Sequence, residues 1–147
     1  MNNLIFTHLV IVPCSLLTPL NLDSRIPTTI IATREDEAAA IGCGLSLTGS
    51  TPLIAMQNSG LVSALNTIGS LSISYGITLP LLVSMRGLGN EHNEVQTPVG
   101  GATIDIVNAL KIPYIYVHGK ERLDTAFSEV REKISQQGPV AIFYEEK

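Results

Sequence analysis

Residues 28–49 read TTIIATREDEAAAIGCGLSLTG, and the change of pattern inside them decides the fold. Thr28 to Ala32 is a short β-branched run, which predicts a strand. Thr33 then opens a helix: its hydroxyl suits an N-cap, and Asp36 three residues on completes a capping-box pattern. The Ala-rich continuation runs to about Leu47, and Gly49 ends it. A strand that passes directly into a helix is the building unit of a parallel sheet.

The same alternation extends both ways along the chain. Leu9 to Val12 predicts a strand that stops at Pro13. Pro52 to Gln57 predicts another, followed by a helix from Gly60 to about Ser72. Leu79 to Ser84 is a strand, with Pro80 tolerated near its start. Arg86 to Gly101 predicts a long polar loop with four Gly, of the kind that is functional or mobile in compact domains. A helix from Thr103 to Leu110, a strand from Tyr114 to Val117 and an amphipathic helix from Glu121 to Gln136 follow. Leu123, Phe127, Val130 and Ile134 share one face of that helix. Val140 to Tyr144 is the last strand. The expected fold is α/β, a parallel sheet with helices on both faces, as one domain over residues 1–147. Ligands of such sheets bind outside the carboxyl ends of the strands. That rule points to Pro13–Leu16, Thr33–Glu37 and Gln57–Gly60.

Charge is distributed unevenly. The net charge is −4, which argues against a nucleic-acid partner, since that would need a basic patch. Charged residues are 15% of the chain, against roughly 25% in soluble domains. From Ala38 to Met85 there is no Asp, Glu, Lys, Arg or His. So long an uncharged stretch implies that part of it faces another protein surface. Gly, Ser, Thr, Asn and Pro break it, which excludes a membrane span of roughly 18 apolar residues. Cys14 and Cys43 have no metal-like spacing, and a reduced, cytoplasmic setting is the simple reading.

Three groups of residues carry candidate chemistry. Glu35, Asp36 and Glu37 lie in the first turn of a helix. An acidic first turn answers the helix dipole by itself, yet it also places a carboxylate at a strand-to-helix crossover. Gln57-Asn58-Ser59-Gly60 is either a capped turn or a set of donors and acceptors for a polar ligand. Arg86, His92 and Gln96 lie in the long loop, and an Arg there suits a sulfonate or phosphonate. Cys14 has no activating base close in sequence and reads as an inert thiol.

Taken in order, Val12-Pro13-Cys14-Ser15, Arg34-Glu35-Asp36-Glu37-Ala38, Met56-Gln57-Asn58-Ser59-Gly60-Leu61, Ala64-Leu65-Asn66, Pro80-Leu81-Leu82 and Arg86-Gly87 form a series. It resembles the pyrimidine-binding domain of the sulfopyruvate and phosphonopyruvate decarboxylases, within the thiamine diphosphate enzymes. The run Gln57 to Leu61 is its most specific part, and the likeness covers about Val10 to Pro113. The resemblance implies that a Glu at the start of the second helix hydrogen-bonds the aminopyrimidine of thiamine diphosphate. Spacing to Ala38 and Gly44 matches Glu35 to that position, with Glu37 as the fallback register. It implies further that Pro13, Cys14, Gln57, Asn58, Ser59 and Gly60 border the cofactor. Ser15, Gln57, Asn58, Arg86, His92 and Gln96 are the candidates for the anionic 2-oxo acid substrate.

The diphosphate and Mg2+ site of these enzymes sits in a second domain with a Gly-Asp-Gly motif, which this sequence does not contain. The resemblance therefore implies a split enzyme. A separate diphosphate-binding beta subunit would hold Mg2+, no metal would be bound by this chain, and the active site would lie in a hetero-oligomer. Sulfopyruvate is the expected substrate, with phosphonopyruvate or another 2-oxo acid as the alternative. Members of the phosphonopyruvate type carry a Gln-His pair late in the long loop, where this chain has Val95-Gln96-Thr97-Pro98. Two other readings predict differently: a non-catalytic pairing domain would assemble without turnover, and a flavodoxin-like binding module would be a monomer.

Overall fold

The computed structural model describes residues 5–89, 93–133 and 137–146. Six strands form one parallel sheet: β1 (His8–Ile11), β2 (Thr28–Ile31), β3 (Pro52–Gln57), β4 (Leu79–Ser84), β5 (Tyr114–His118) and β6 (Pro139–Glu145). Their order is β2-β1-β3-β4-β6-β5. The α-helices among the described residues are α1 (Glu35–Leu47), α2 (Asn58–Thr67), α3 (Thr97–Ala109) and α4 (Leu123–Lys133). A π-helical segment, Ile68–Ile73, prolongs α2.

The order of strands determines which face each connection covers. The steps β2 to β3, β3 to β4 and β4 to β5 all cross the sheet in one direction, whereas β1 to β2 and β5 to β6 go the other way. Right-handed crossovers must then place α1, α2 and α3 on one face and the remaining connections on the opposite face. The core divides accordingly. Ile54 and Met56 of β3 pack with Ala38, Cys43, Leu61 and Val107 of those three helices. Leu53 and Ala55 of the same strand pack with Phe127 and Val130 of α4. Between β1 and β2 the cover is a pair of 3-10 turns, Thr18–Leu20 and Leu22–Ser24, which bury Leu20 and Leu22.

β3, β4 and β6 are buried along nearly their whole length, so their apolar runs are continuous rather than alternating. Each fully buried Leu, Ile or Val there contributes roughly 1.5–3 kcal/mol. β2 is an edge strand, mostly exposed, with Ile31 at 72%. Pro80 is harmless because pairing with β3 begins only at Leu81.

Several boundaries differ from the sequence reading. β1 gains His8 and loses Val12, and β2 ends at Ile31 rather than Ala32. α1 starts at Glu35, so Arg34 and not Thr33 occupies the cap position. Glu37 reaches back, and its Oε2 accepts from the Thr33 and Arg34 amides at 2.7 and 3.4 Å. That carboxylate is the reciprocal half of a capping box, serving the backbone amides at and before the cap position. α2 begins at Asn58, two residues before the expected Gly60. α3 begins at Thr97, well before Thr103, because Pro98 is favourable in a first turn and Gly100 is required inside the helix. A Cβ on Gly100 would overlap the Arg86 carbonyl oxygen and lie 2.6 Å from that of Gly87. α4 starts at Leu123 behind a 3-10 turn, Lys120–Arg122; Ile134 and Gln136 lie outside the described residues.

α1 lies close to the sheet because its inner face is small: Ala38, Ala39, Gly42 and Cys43. A Cβ on Gly42 would overlap Ile54 Cδ1 and stand 2.8 Å from Leu79 Cδ1, whereas one on Gly44 meets nothing within 4 Å. Gly42→Val is expected to lower stability by about 1–3 kcal/mol through overpacking. Gly44→Ala is expected to raise it by roughly 0.5–1 kcal/mol. Urea unfolding midpoints test the pair, and equal shifts of the same sign would contradict this packing.

Candidate active site

All six strands run the same way, so the loops after β1, β2, β3 and β4 gather at one edge of the sheet. The residues singled out in the sequence sit there: Pro13, Cys14 and Ser15 after β1, Glu35 after β2, Gln57 to Gly60 at the end of β3 and Arg86 after β4. Gln96 joins them from the 3-10 turn Glu94–Gln96. His92 lies outside the described residues.

The three acidic residues of the α1 first turn separate into distinct roles. Glu37 caps the helix, as described above. Asp36 receives the Arg34 guanidinium, Nε to Oδ1 at 3.0 Å, on the exposed surface. That hydrogen bond above all holds its carboxyl below the usual range. Glu35 is half-buried, and its side chain lies directly over Gly60. A Cβ at position 60 would overlap its Cγ, Cδ and Oε1. The bare α-carbon of Gly60 is thus the space in which the Glu35 carboxyl rests, at the point where α1 and α2 both begin. A carboxylate cradled at two helix N-termini, at the carboxyl edge of the sheet, suits a hydrogen-bonding partner on a nitrogen heterocycle.

Gln57 reaches across this edge. Its Nε2 donates to Ser59 Oγ at 2.6 Å and to Gln96 Oε1 at 3.0 Å. Cys14 Sγ and the buried Ser84 Oγ are 3.2 Å apart. Arg86 Nη1 donates to Ser15 Oγ at 3.3 Å, so the guanidinium spans from the end of β4 to the loop after β1, past the end of β3.

Asn58 departs from expectation. The resemblance implies that it borders a ligand, but Asn58 is 1% exposed and its side chain is bonded within the protein. Nδ2 donates to the Arg86 carbonyl at 3.0 Å and to Thr103 Oγ1 at 3.1 Å, while Oδ1 accepts from the Arg86 amide at 3.2 Å. Ser84 and Thr103 were not picked out by sequence reasoning. A lone hydroxyl closing the apolar run of β4 was the available signal for Ser84; Thr103, inside a helix, gave none.

A cavity of about 250 Å3 opens beside this edge, between β1, β2 and the 3-10 turns. Pro13 and Cys14 line it, but Glu35 and Gln57 do not. Cys43 is buried, and burial pushes its thiol up to about 11. Among the described residues no group of three or more His, Cys, Asp or Glu is arranged to hold a metal ion, and no helix is long and apolar enough to cross a membrane.

No protein-family model matches the chain. The sulfopyruvate decarboxylase subunit alpha of Methanothermobacter thermautotrophicus is 35% identical over 134 residues, which cover 89% of this chain and 77% of that protein. The protein of the same name from Methanococcus maripaludis is 34% identical over 138 residues, covering 89% and 81%. Among solved structures, a split-gene transketolase, described as an inactive beta4 tetramer, superposes with a TM-score of 0.69 at 13% identity. Benzoylformate decarboxylase from Polynucleobacter necessarius gives 0.69 at 19% identity. Both cover 95% of this chain, which spans 45% and 27% of theirs. At those identities the likeness bears on the fold alone, and it agrees with the parallel α/β architecture.

The division of roles in α1 is open to measurement. Glu37→Ala is expected to cost about 0.5–2 kcal/mol through the lost cap, and Glu35→Gln the smaller amount of about 0.3–1 kcal/mol through the lost charge at the helix N-termini. Denaturant unfolding of the two variants checks this; the reverse order would contradict the cap assignment. At pH 8 a thiol titrating near 11 is ionised in only about one molecule in a thousand. Iodoacetamide should therefore label half-buried Cys14 well before Cys43, as read by peptide mass spectrometry, and equal rates would contradict the burial of Cys43.

Proposed function

The chain belongs to the family of sulfopyruvate decarboxylase alpha subunits, and from that premise we propose that it is the pyrimidine-binding subunit of a split thiamine diphosphate-dependent decarboxylase. The reaction proposed is sulfopyruvate to sulfoacetaldehyde plus carbon dioxide. The observation that carries this reading is the Glu35 carboxyl resting on Gly60 at the carboxyl edge of the sheet. In the family resemblance that position meets the aminopyrimidine, and Glu37, the other register, is committed to the helix cap.

When bound, the cofactor supplies an electron sink for the carbon–carbon cleavage of a 2-oxo acid. Glu35 would share a proton with a ring nitrogen of the pyrimidine and so favour one of its tautomers. Gly60 leaves the room for that carboxyl. Pro13, Cys14 and Ser59 border the same edge. Gln57, held between Ser59 and Gln96, would orient the keto acid. Arg86 with Ser15 supplies the donors for the anionic tail, and a guanidinium matches the paired oxygens of a sulfonate. A phosphonate would engage the same donors, so the tail group is the open variable in substrate choice.

The diphosphate and Mg2+ are assigned to a partner subunit. Support comes from the two relatives, each named a subunit alpha, and from the uncharged surface of α1 beyond Glu37 and of the segment after α2. Leu47 and Tyr75 there are 72% and 77% exposed in the isolated chain, as expected of a surface that another chain covers.

The test is carbon dioxide release from sulfopyruvate with thiamine diphosphate and Mg2+, using this chain, the partner and the mixture. Activity is expected in the mixture alone, and Glu35→Gln should lower kcat by about 10²–10⁴-fold while the subunits still assemble. A fully active Glu35→Gln enzyme would remove Glu35 from catalysis, and assembly with no turnover of any 2-oxo acid would favour a non-catalytic pairing domain.

A further inference from the structure

We infer that Asn58 is a positioning residue for substrate-tail recognition, acting through the backbone of Arg86 rather than by touching ligand; this rests on the proposed role of Arg86. The geometry is specific. β3 and β4 pair in register up to Gln57 and Ser84. Beyond that point the chains separate, as β3 turns into α2 and β4 enters the loop. The Asn58 side chain takes over where the ladder ends. Its amide offers Arg86 one acceptor and one donor, Oδ1 from the Arg86 N–H at 3.2 Å and Nδ2 to the Arg86 carbonyl at 3.0 Å. A neighbouring parallel strand would have provided the same acceptor and donor from two successive peptides.

Two further contacts hold that arrangement. Thr103 Oγ1 accepts the second Asn58 N–H at 3.1 Å and itself donates to the Val99 carbonyl at 2.6 Å, which ties the side-chain amide to α3. Gly87 has φ +79, a left-handed conformation that suits glycine, and any Cβ on Gly100 would strike the Arg86–Gly87 carbonyls. The peptide from which the Arg86 side chain departs is therefore held from three sides: by α2, by α3 and by its own glycine turn. A side chain with as many rotatable bonds as arginine recognises an anion well only if its root is fixed, since otherwise ordering it costs binding energy. Asn58 is buried and fully bonded, so it has no direct part in the ligand contact. Its amide is irreplaceable because both a donor and an acceptor are needed at a fixed separation.

The experiment is steady-state kinetics on the assembled two-subunit enzyme with Arg86→Ala, Asn58→Ala and the double variant, together with hydrogen exchange of peptides containing Arg86. Arg86→Ala is expected to raise KM for sulfopyruvate by about 100-fold, with a much smaller change in kcat. Asn58→Ala should raise KM by about tenfold, speed exchange at Arg86, and add nothing to Arg86→Ala in the double variant. If Asn58→Ala does not assemble, Thr103→Val serves in its place, with a rise of about two- to fivefold expected. A KM unaltered by Arg86→Ala would end the tail-binding reading of Arg86 and this inference with it. A normal response to Arg86→Ala, with Asn58→Ala silent, additive, or acting on kcat alone, would overturn the positioning role and leave Arg86 in place.

Discussion

Position 60 cannot carry a side chain while Glu35 lies where it does, and the rest of the site follows from that exclusion. α1 and α2 start from strands that end on the same edge of a parallel sheet, so their first turns are brought together by topology. A glycine lets the two approach until the carboxyl of one rests on the backbone of the other. Glu37 turns back to the cap and Asp36 outward to Arg34, which leaves Glu35 as the acid of this turn directed at α2. The inner side of α1 follows the same logic, with Gly42 allowing the helix down onto Ile54 and Leu79.

The second organising feature is the exhaustion of the β3–β4 ladder at Gln57 and Ser84. Polar side chains replace the lost peptide pairing at that point. Asn58 bonds the Arg86 peptide, Gln57 bonds Gln96, and Cys14 meets Ser84 across the end of the sheet. A loop rich in glycine is thereby fixed at its root. In the proposed enzyme this divides the labour, with Glu35 for the cofactor on one side of the β3 terminus and Arg86 for the substrate on the other.

The central strands were legible because they are apolar runs bounded by Pro, Gly or polar residues; Pro52–Gln57 and Leu79–Ser84 stand in the structure as read. Helix starts were less legible. Thr33 looked like a cap, yet the strand's extended backbone continues through Arg34, and a carboxylate three residues later did the capping. The Gly100-Gly101 pair reads as loop, but both lie inside α3, where Gly100 serves close approach to the Arg86–Gly87 backbone rather than a turn. Among the candidate site residues, the placement of Glu35 in the first turn of α1 was legible from the strand-to-helix pattern. The inward role of Asn58 was not, because a Gln-Asn-Ser-Gly run does not reveal which of its amides faces a long-range backbone partner 28 residues away.

The most direct measurement is a crystal structure of the two-subunit complex with thiamine diphosphate bound. The account predicts a Glu35 carboxylate oxygen about 2.6–3.2 Å from a nitrogen of the aminopyrimidine ring, with Glu37 still capping α1. A pyrimidine bound away from Glu35, or held by Glu37 with the cap broken, would contradict it.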